Sequence, residues 1–100
     1  MAAYVIVSYD IIDPEGYQAY VPGVVPLIAR HGGEVLVAAH DATVLEGEPR
    51  SSEVVLRFAD EATALAWYND PDYVEVRKLR QAASANTHMV VARAFTPPGY

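Results

Sequence analysis

Four short runs rich in β-branched and aromatic residues are spaced along this chain, and helix-forming stretches fill only two of the three gaps between them. That uneven spacing restricts the fold more than any other feature. The runs are "AYVIVSYDII" (3–12), "EVLVAAH" (34–40), "EVVLRFA" (53–59) and "HMVVARAF" (88–95). The gap between the second and third holds no helical pattern. "ATVLEG" (42–47) reads there as a continuation of the second strand after a bend at His40-Asp41, followed by a loop through Pro49.

The helical stretches carry their own start signals. Asp13 is a good N-cap and Pro14 suits a first helical position. Tyr17, Tyr20, Val21, Val24 and Ile28 then follow helical spacing up to Gly32-Gly33, while Pro22 and Pro26 predict a kink or two short helices. Asp60 caps a second helix over about 61–69, and Asp70-Pro71 restarts it to about Ser84.

The resulting order, β-α-β-β-α-β, predicts a ferredoxin-like α+β fold: one four-stranded antiparallel sheet, strand order 4-1-3-2, helices on one face. The bare face needs a cover, and a second copy of the chain is expected to supply it, giving a homodimer. Residues 1–96 read as a single domain, and 97–100 as a short tail.

Charge and composition exclude several classes. A net charge of −6 argues against nucleic acid and anionic membranes as partners. No cysteine is present, so disulfides, thiolate nucleophiles and Cys-based metal sites are ruled out. No leader pattern opens the chain and no apolar run reaches about 18 residues, so the cytoplasm is the expected compartment. His31, His40 and His88 fall on different elements without an i, i+4 partner, and no metal or cofactor is expected. A haem would require His40 or His88 to face a large apolar pocket.

Strand alternation sorts the remaining candidates. Val5, Val7 and Tyr9, with Val54, Leu56 and Phe58, form apolar sets that should meet the helices. Tyr4, Ile6, Ser8 and Asp10 share the opposite, mixed face with Glu53, Val55 and Arg57. Glu34, Leu36, Ala38 and His40 are expected there too, with His88, Val90 and Ala92. With strands 1 and 3 read as parallel neighbours, Asp10, Arg57, His88 and Glu34 collect at one end of this face. His40, Glu53 and Tyr4 collect at the other. In such a corner Arg57 can hold a carboxylate or enolate, and His88 or Asp10 can move a proton. The same residues also suit a structural Asp10–Arg57 ion pair with hydrogen-bonded histidines.

"AWYNDPDYVEVRKLR" (66–80) admits two uses as well. Tyr73, Val76, Arg77 and Arg80 fall roughly on one side of a helix. Trp67, Tyr73 and Arg77, with His40, can rim a substrate pocket. Equally, Trp67 can close a hydrophobic seam while the cations stay solvated.

Together "DPEGYQAY", "VPLIARHGGEVLV", "VLEG" and "ALAWYNDPDYVEVRKLRQAAS" resemble the family known as domain of unknown function 1330, over roughly residues 3–93. That family is similar to the dimeric α+β barrel superfamily. The resemblance implies protomers paired sheet to sheet, among relatives that include cofactor-free monooxygenases, isomerases, cyclases and haem enzymes. The chain departs from the family pattern at "AAHDAT", at "THMV" and in the "TPPGY" tail. Two functions stay open. One is a cofactor-independent enzyme doing proton transfer, as an isomerase, cyclase or monooxygenase-like protein, on a small oxygenated apolar metabolite. The other is a non-catalytic homodimer that binds a metabolite or stabilises an assembly.

Overall fold

The second helical stretch divides at Asp70-Pro71, as the sequence expects; the first divides at Ala19, upstream of Pro22 and Pro26, both of which lie inside its longer helix. The computed structural model describes residues 1–98. After β1 (Ala3–Ile11), Asp13 accepts a hydrogen bond from the Gly16 amide and starts α1 (Pro14–Gln18), which passes into α2 (Tyr20–Arg30) at Ala19. Gly32 ends α2 in the left-handed region, φ 69°. Gly33 is fixed by crowding: a Cβ there would stand 2.6 Å from Phe58 and 2.8 Å from Ile28. The chain then enters β2 (Glu34–Ala39) and, after a loop, β3 (Ser52–Phe58). Asp60 accepts from the Thr63 amide at 2.7 Å and starts α3 (Glu61–Tyr68). Asp70 accepts from the Asp72 amide at 2.9 Å and starts α4 (Pro71–Ala83). The last strand is β4 (Ser84–Arg93).

The four strands form one sheet in the order β2-β3-β1-β4, with every neighbouring pair antiparallel. Four details of the strands differ from the sequence expectations. Residues 42–47 do not continue β2; Leu45 there is 90% exposed. β4 starts at Ser84, four residues earlier than expected, because Ser84 and Ala85 pair with Ile11 and Asp10. β1 and β3 are antiparallel, so Arg57 faces Tyr4, six positions along β1 from Asp10. At about 3.3 Å per residue, six positions place them roughly 20 Å apart. Finally, the β2–β3 register shifts between Val35 and Val37. That bulge reverses the parity of β2, so Val37 and Ala39 join the open face and Ala38 turns to the helices.

The core lies between the sheet and the helices. Val5, Leu56 and Phe58 meet Tyr20, Val24, Leu27 and Ile28 of α2, with Trp67 and Tyr73. Trp67 stacks on Tyr73 with ring centroids 4.3 Å apart and packs on Phe58 at 5.5 Å. Trimming a fully buried tryptophan to alanine costs about 3–5 kcal/mol. The other sheet face carries no helix. Its middle is apolar, with Ile6, Val37 and Val90 each at least a third exposed in the single chain. No helix among the described residues is long and apolar enough to cross a membrane.

Candidate ligand cavity

The residues expected to form one corner are divided between two ends of the open face. At one end, Asp10 accepts hydrogen bonds from the Asn86 side-chain amide at 2.8 Å and the Ser51 backbone amide at 3.2 Å, with Arg50 at 3.7 Å. The Asn86 bond first, then the Ser51 amide and Arg50, hold its carboxyl below the usual range. Asn86 has a positive φ, 56°, where the β4 register shifts. The Asp10 carboxylate therefore pins an irregular strand and the loop beside it. His88 is exposed opposite Ser8, on the same face. His40 is exposed too, and its Nδ1 meets the Ser51 carbonyl oxygen at 3.2 Å. At the far end Arg57 donates to Glu34 at 3.1 Å. Arg57 thus meets Glu34 as the sequence suggested, but neither Asp10 nor His88. His40 and Glu53 lie at the Asp10 end, and Tyr4 at the Arg57 end.

Residues 66–80 serve the core first. Tyr73 is fully buried, and its hydroxyl lies 2.8 Å from that of Tyr20. Arg77 lies over the Tyr68 ring at 4.2 Å and donates to the Tyr68 carbonyl at 3.2 Å, tying α4 to the end of α3.

The polar groups that face an enclosed space lie on the helix side of the sheet. A cavity of about 130 Å³ there is lined by all four strands together with α1, α2, α3 and α4. Its walls are mostly valine, isoleucine, leucine and methionine. Its polar groups are Tyr9, Tyr17, Tyr20 and Arg80. The Tyr9 and Tyr17 hydroxyls are hydrogen-bonded. Burial first, then the bond to Tyr17, push the Tyr9 phenol well above its ordinary pKa; burial first, then Tyr73, do the same for Tyr20. Both stay neutral at physiological pH and serve as hydrogen-bonding groups, not as bases.

Arg80 is the outlier in this cavity. It is 3% exposed, and no carboxylate lies within ion-pair distance of it among the described residues. Its Nε has no hydrogen-bond partner among the described residues. The guanidinium lies 5.7 Å from the Tyr9 ring and 6.0 Å from the Tyr20 ring. Burial pulls its pKa down, and the Tyr73 and Tyr20 oxygens more than offset that, so it remains charged. Trp67 lines this cavity and a second of about 250 Å³ against β4, and its indole N–H is buried without a partner. No cluster of three or more potential metal-ligating side chains occurs among the described residues.

Of the residues singled out from the sequence, Trp67 lines the cavity and Tyr73 supports it through Tyr20. The sequence reading did not assign Tyr9, Tyr17, Tyr20 or Arg80 to a site. One signal was available: Tyr73 and Arg80 are seven residues apart, two helical turns, so a buried Tyr73 draws Arg80 inward.

A four-stranded antiparallel sheet in this order, with helices on one side, defines a ferredoxin-like α+β protein. Solved structures agree. A protein of unknown function from Rhodopseudomonas palustris superposes with a TM-score of 0.81 at 22% identity, covering 96% of this chain and 84% of that one. A dimeric ferredoxin-like protein of unknown function from a Jannaschia species gives 0.72 at 14% identity, covering 94% and 100%. SnoaB, a cofactor-independent oxygenase from Streptomyces nogalater, gives 0.64 at 12% identity, covering 99% and 98%. The chain itself belongs to the family of the domain of unknown function DUF1330, whose model matches residues 2–94. Comparison with curated proteins gives no match.

Proposed function

We propose that this protein is a homodimer paired through its open sheet face, and that it binds a small apolar molecule carrying an oxygen anion in the cavity between sheet and helices. One observation carries the reading. Arg80 is a buried cation without a counter-ion among the described residues, set in walls that are otherwise mostly apolar. An unpaired buried charge is costly, and a ligand carboxylate or enolate supplies the missing partner. The Tyr9 and Tyr17 phenols use one O–H in their own hydrogen bond, which leaves the other to donate to the same oxygens. Dimerisation draws support from the apolar middle of the open face and from ferredoxin-like neighbours described as dimeric.

If the ligand is a substrate, the chemistry this cavity favours is cofactor-independent stabilisation of an oxyanion. Its lining includes no carboxylate or imidazole to act as a base. A substrate whose C–H is acidic enough to ionise in water needs only the charge stabilisation that Arg80 provides. SnoaB shares the fold and is a cofactor-independent oxygenase, an analogy of fold alone. Asp10, Arg57 and His88, the first candidates for catalysis, stand in this proposal at the ends of the dimer face.

Native mass spectrometry of freshly purified protein tests the reading. A dimer carrying a small acidic mass, lost in Arg80→Gln, supports it. A monomer refutes the pairing. A dimer that takes up no carboxylate, even at millimolar concentration, refutes the anion site.

A further inference from the structure

The cavity has two unlike ends, and this asymmetry narrows the ligand. Arg80 comes from α4 and lies beside Tyr9 of β1 and Tyr20 at the start of α2. The lining continues across the sheet to Val35 and Ala38 of β2, the edge strand. Only apolar side chains meet there, and four of them are also open to solvent: Val21 at 44%, Val25 at 50% and Val35 at 49% exposed, together with Ala38. The cavity is therefore cationic and phenolic at one end, greasy along its length, and rimmed by exposed valines at the other.

Size sharpens this further. A cavity of about 130 Å³ is close to the roughly 150 Å³ that takes up one benzene. A carboxylate and about three carbons fill it. Any longer body must emerge over the rim between α2 and β2, where Val21, Val25 and Val35 would otherwise face water.

Building on the anion site above, we propose that the ligand is a monocarboxylate bearing an unbranched aliphatic chain. Its head lies at Arg80 within reach of the Tyr9–Tyr17 pair, and its tail leaves across Val21, Val25 and Val35. The rim explains an otherwise unused set of exposed valines, and the head group satisfies the guanidinium. A chain with a second charge at its far end is disfavoured, because the rim offers no polar partner.

Trp67 is the only tryptophan and lines the cavity, so its fluorescence reports occupancy. Full-length protein is titrated with butanoate, hexanoate, octanoate and decanoate below their micellar concentrations, and with the matching primary alcohols. Each added methylene that finds apolar surface tightens binding by about fourfold. Octanoate should bind at least tenfold more tightly than octanol, and Arg80→Gln should erase that preference while octanol still binds. Because Val25 is half-exposed, Val25→Ser keeps the fold and should weaken decanoate more than butanoate. Acids that all bind alike, or butanoate outdoing octanoate, overturn the aliphatic tail but leave the anion site standing. Alcohols binding as well as acids overturn the anion site itself. No response to any of these acids, with circular dichroism showing folded protein, overturns both.

Discussion

Arg80→Met makes the ligand-free protein more stable, and that gain separates a binding cation from a structural one. Taking a guanidinium out of water costs several kcal/mol unless it is paired. Arg80 is 3% exposed and has no carboxylate partner among the described residues. The Tyr73 and Tyr20 hydroxyls outweigh burial in holding the proton on Arg80, but they are neutral and bring no opposite charge. The rings of Tyr9 and Tyr20, 5.7 and 6.0 Å away, add about 0.5–2 kcal/mol each, so only part of the cost of burying the charge is offset. Methionine has similar length, fills irregular space and carries no charge. The net change is a gain of about 1–2 kcal/mol, of the kind found where a functional group sits at the expense of stability. For a domain of this size, each kcal/mol moves Tm by about 4–8 °C. The assay is thermal and urea unfolding of both proteins at one protein concentration, since the apparent stability of the proposed dimer would depend on it. Ligand-free material is essential, because a bound anion stabilises the wild type by mass action. A loss of about 2 kcal/mol or more in Arg80→Met would refute the reasoning: the guanidinium would then be a structural hub for the tyrosines.

Three further outcomes are expected. Tyr20→Phe leaves the buried Tyr73 hydroxyl without its 2.8 Å partner and costs about 1–3 kcal/mol, while adding Tyr73→Phe costs less than a second such loss; a cycle of urea midpoints that is strictly additive counts against the pairing. Asp70 accepts bonds from His31 and from the Asp72 amide, with Arg30 alongside, and these hold its carboxyl down to about 2. A depressed carboxyl stabilises the fold fully above its unfolded value near 4 and loses that contribution as pH falls toward 2. The Asp70→Asn protein, which keeps an N-cap residue, should be less stable at pH 6 and converge on the wild type near pH 2 in circular dichroism; a constant difference across that window would argue against the linkage. Ile6→Glu puts a charge in the apolar middle of the open face and should give monomers in analytical ultracentrifugation, whereas an unchanged dimer would place the interface elsewhere.

The fold was legible because its signals are local. Asp13-Pro14, Asp60 and Asp70-Pro71 each begin a helix by accepting a nearby amide, and Gly32-Gly33 ends one by backbone freedom and close approach. Alternation also sorted β1 and β3 correctly, since a strand with one buried face must repeat every second residue. The site was harder to see because it depends on strand direction and register. Reading β1 and β3 as parallel moved Arg57 to Asp10's end, when the pairing puts it opposite Tyr4. A single bulge near Leu36 sent Ala38 to the helix side. Neither fact is written in any local pattern. Arg80 was hidden for a different reason. Seven cations share this chain with thirteen acids, so any one arginine is expected to find a carboxylate. Only the three-dimensional arrangement shows that this one finds none among the described residues.

That arrangement divides the molecule's polar groups by task. On the open face, charges are held at the two ends: Asp10 by Asn86 and Ser51, and Arg57 by Glu34. Satisfied in this way, they leave the apolar middle free to meet another sheet without burying a lone charge, the arrangement a self-complementary interface requires. On the helix side the pattern is reversed. The apolar groups are packed, and the groups left without a partner among the described residues are polar: the Arg80 Nε and the Trp67 indole N–H, on two residues that line a cavity, and the Ser52 hydroxyl. Folding alone favours none of these, since each costs stability without a partner. The persistence of the first two on residues that line an apolar-walled cavity is the physical reason to look for chemistry beneath the helices and not on the exposed histidines.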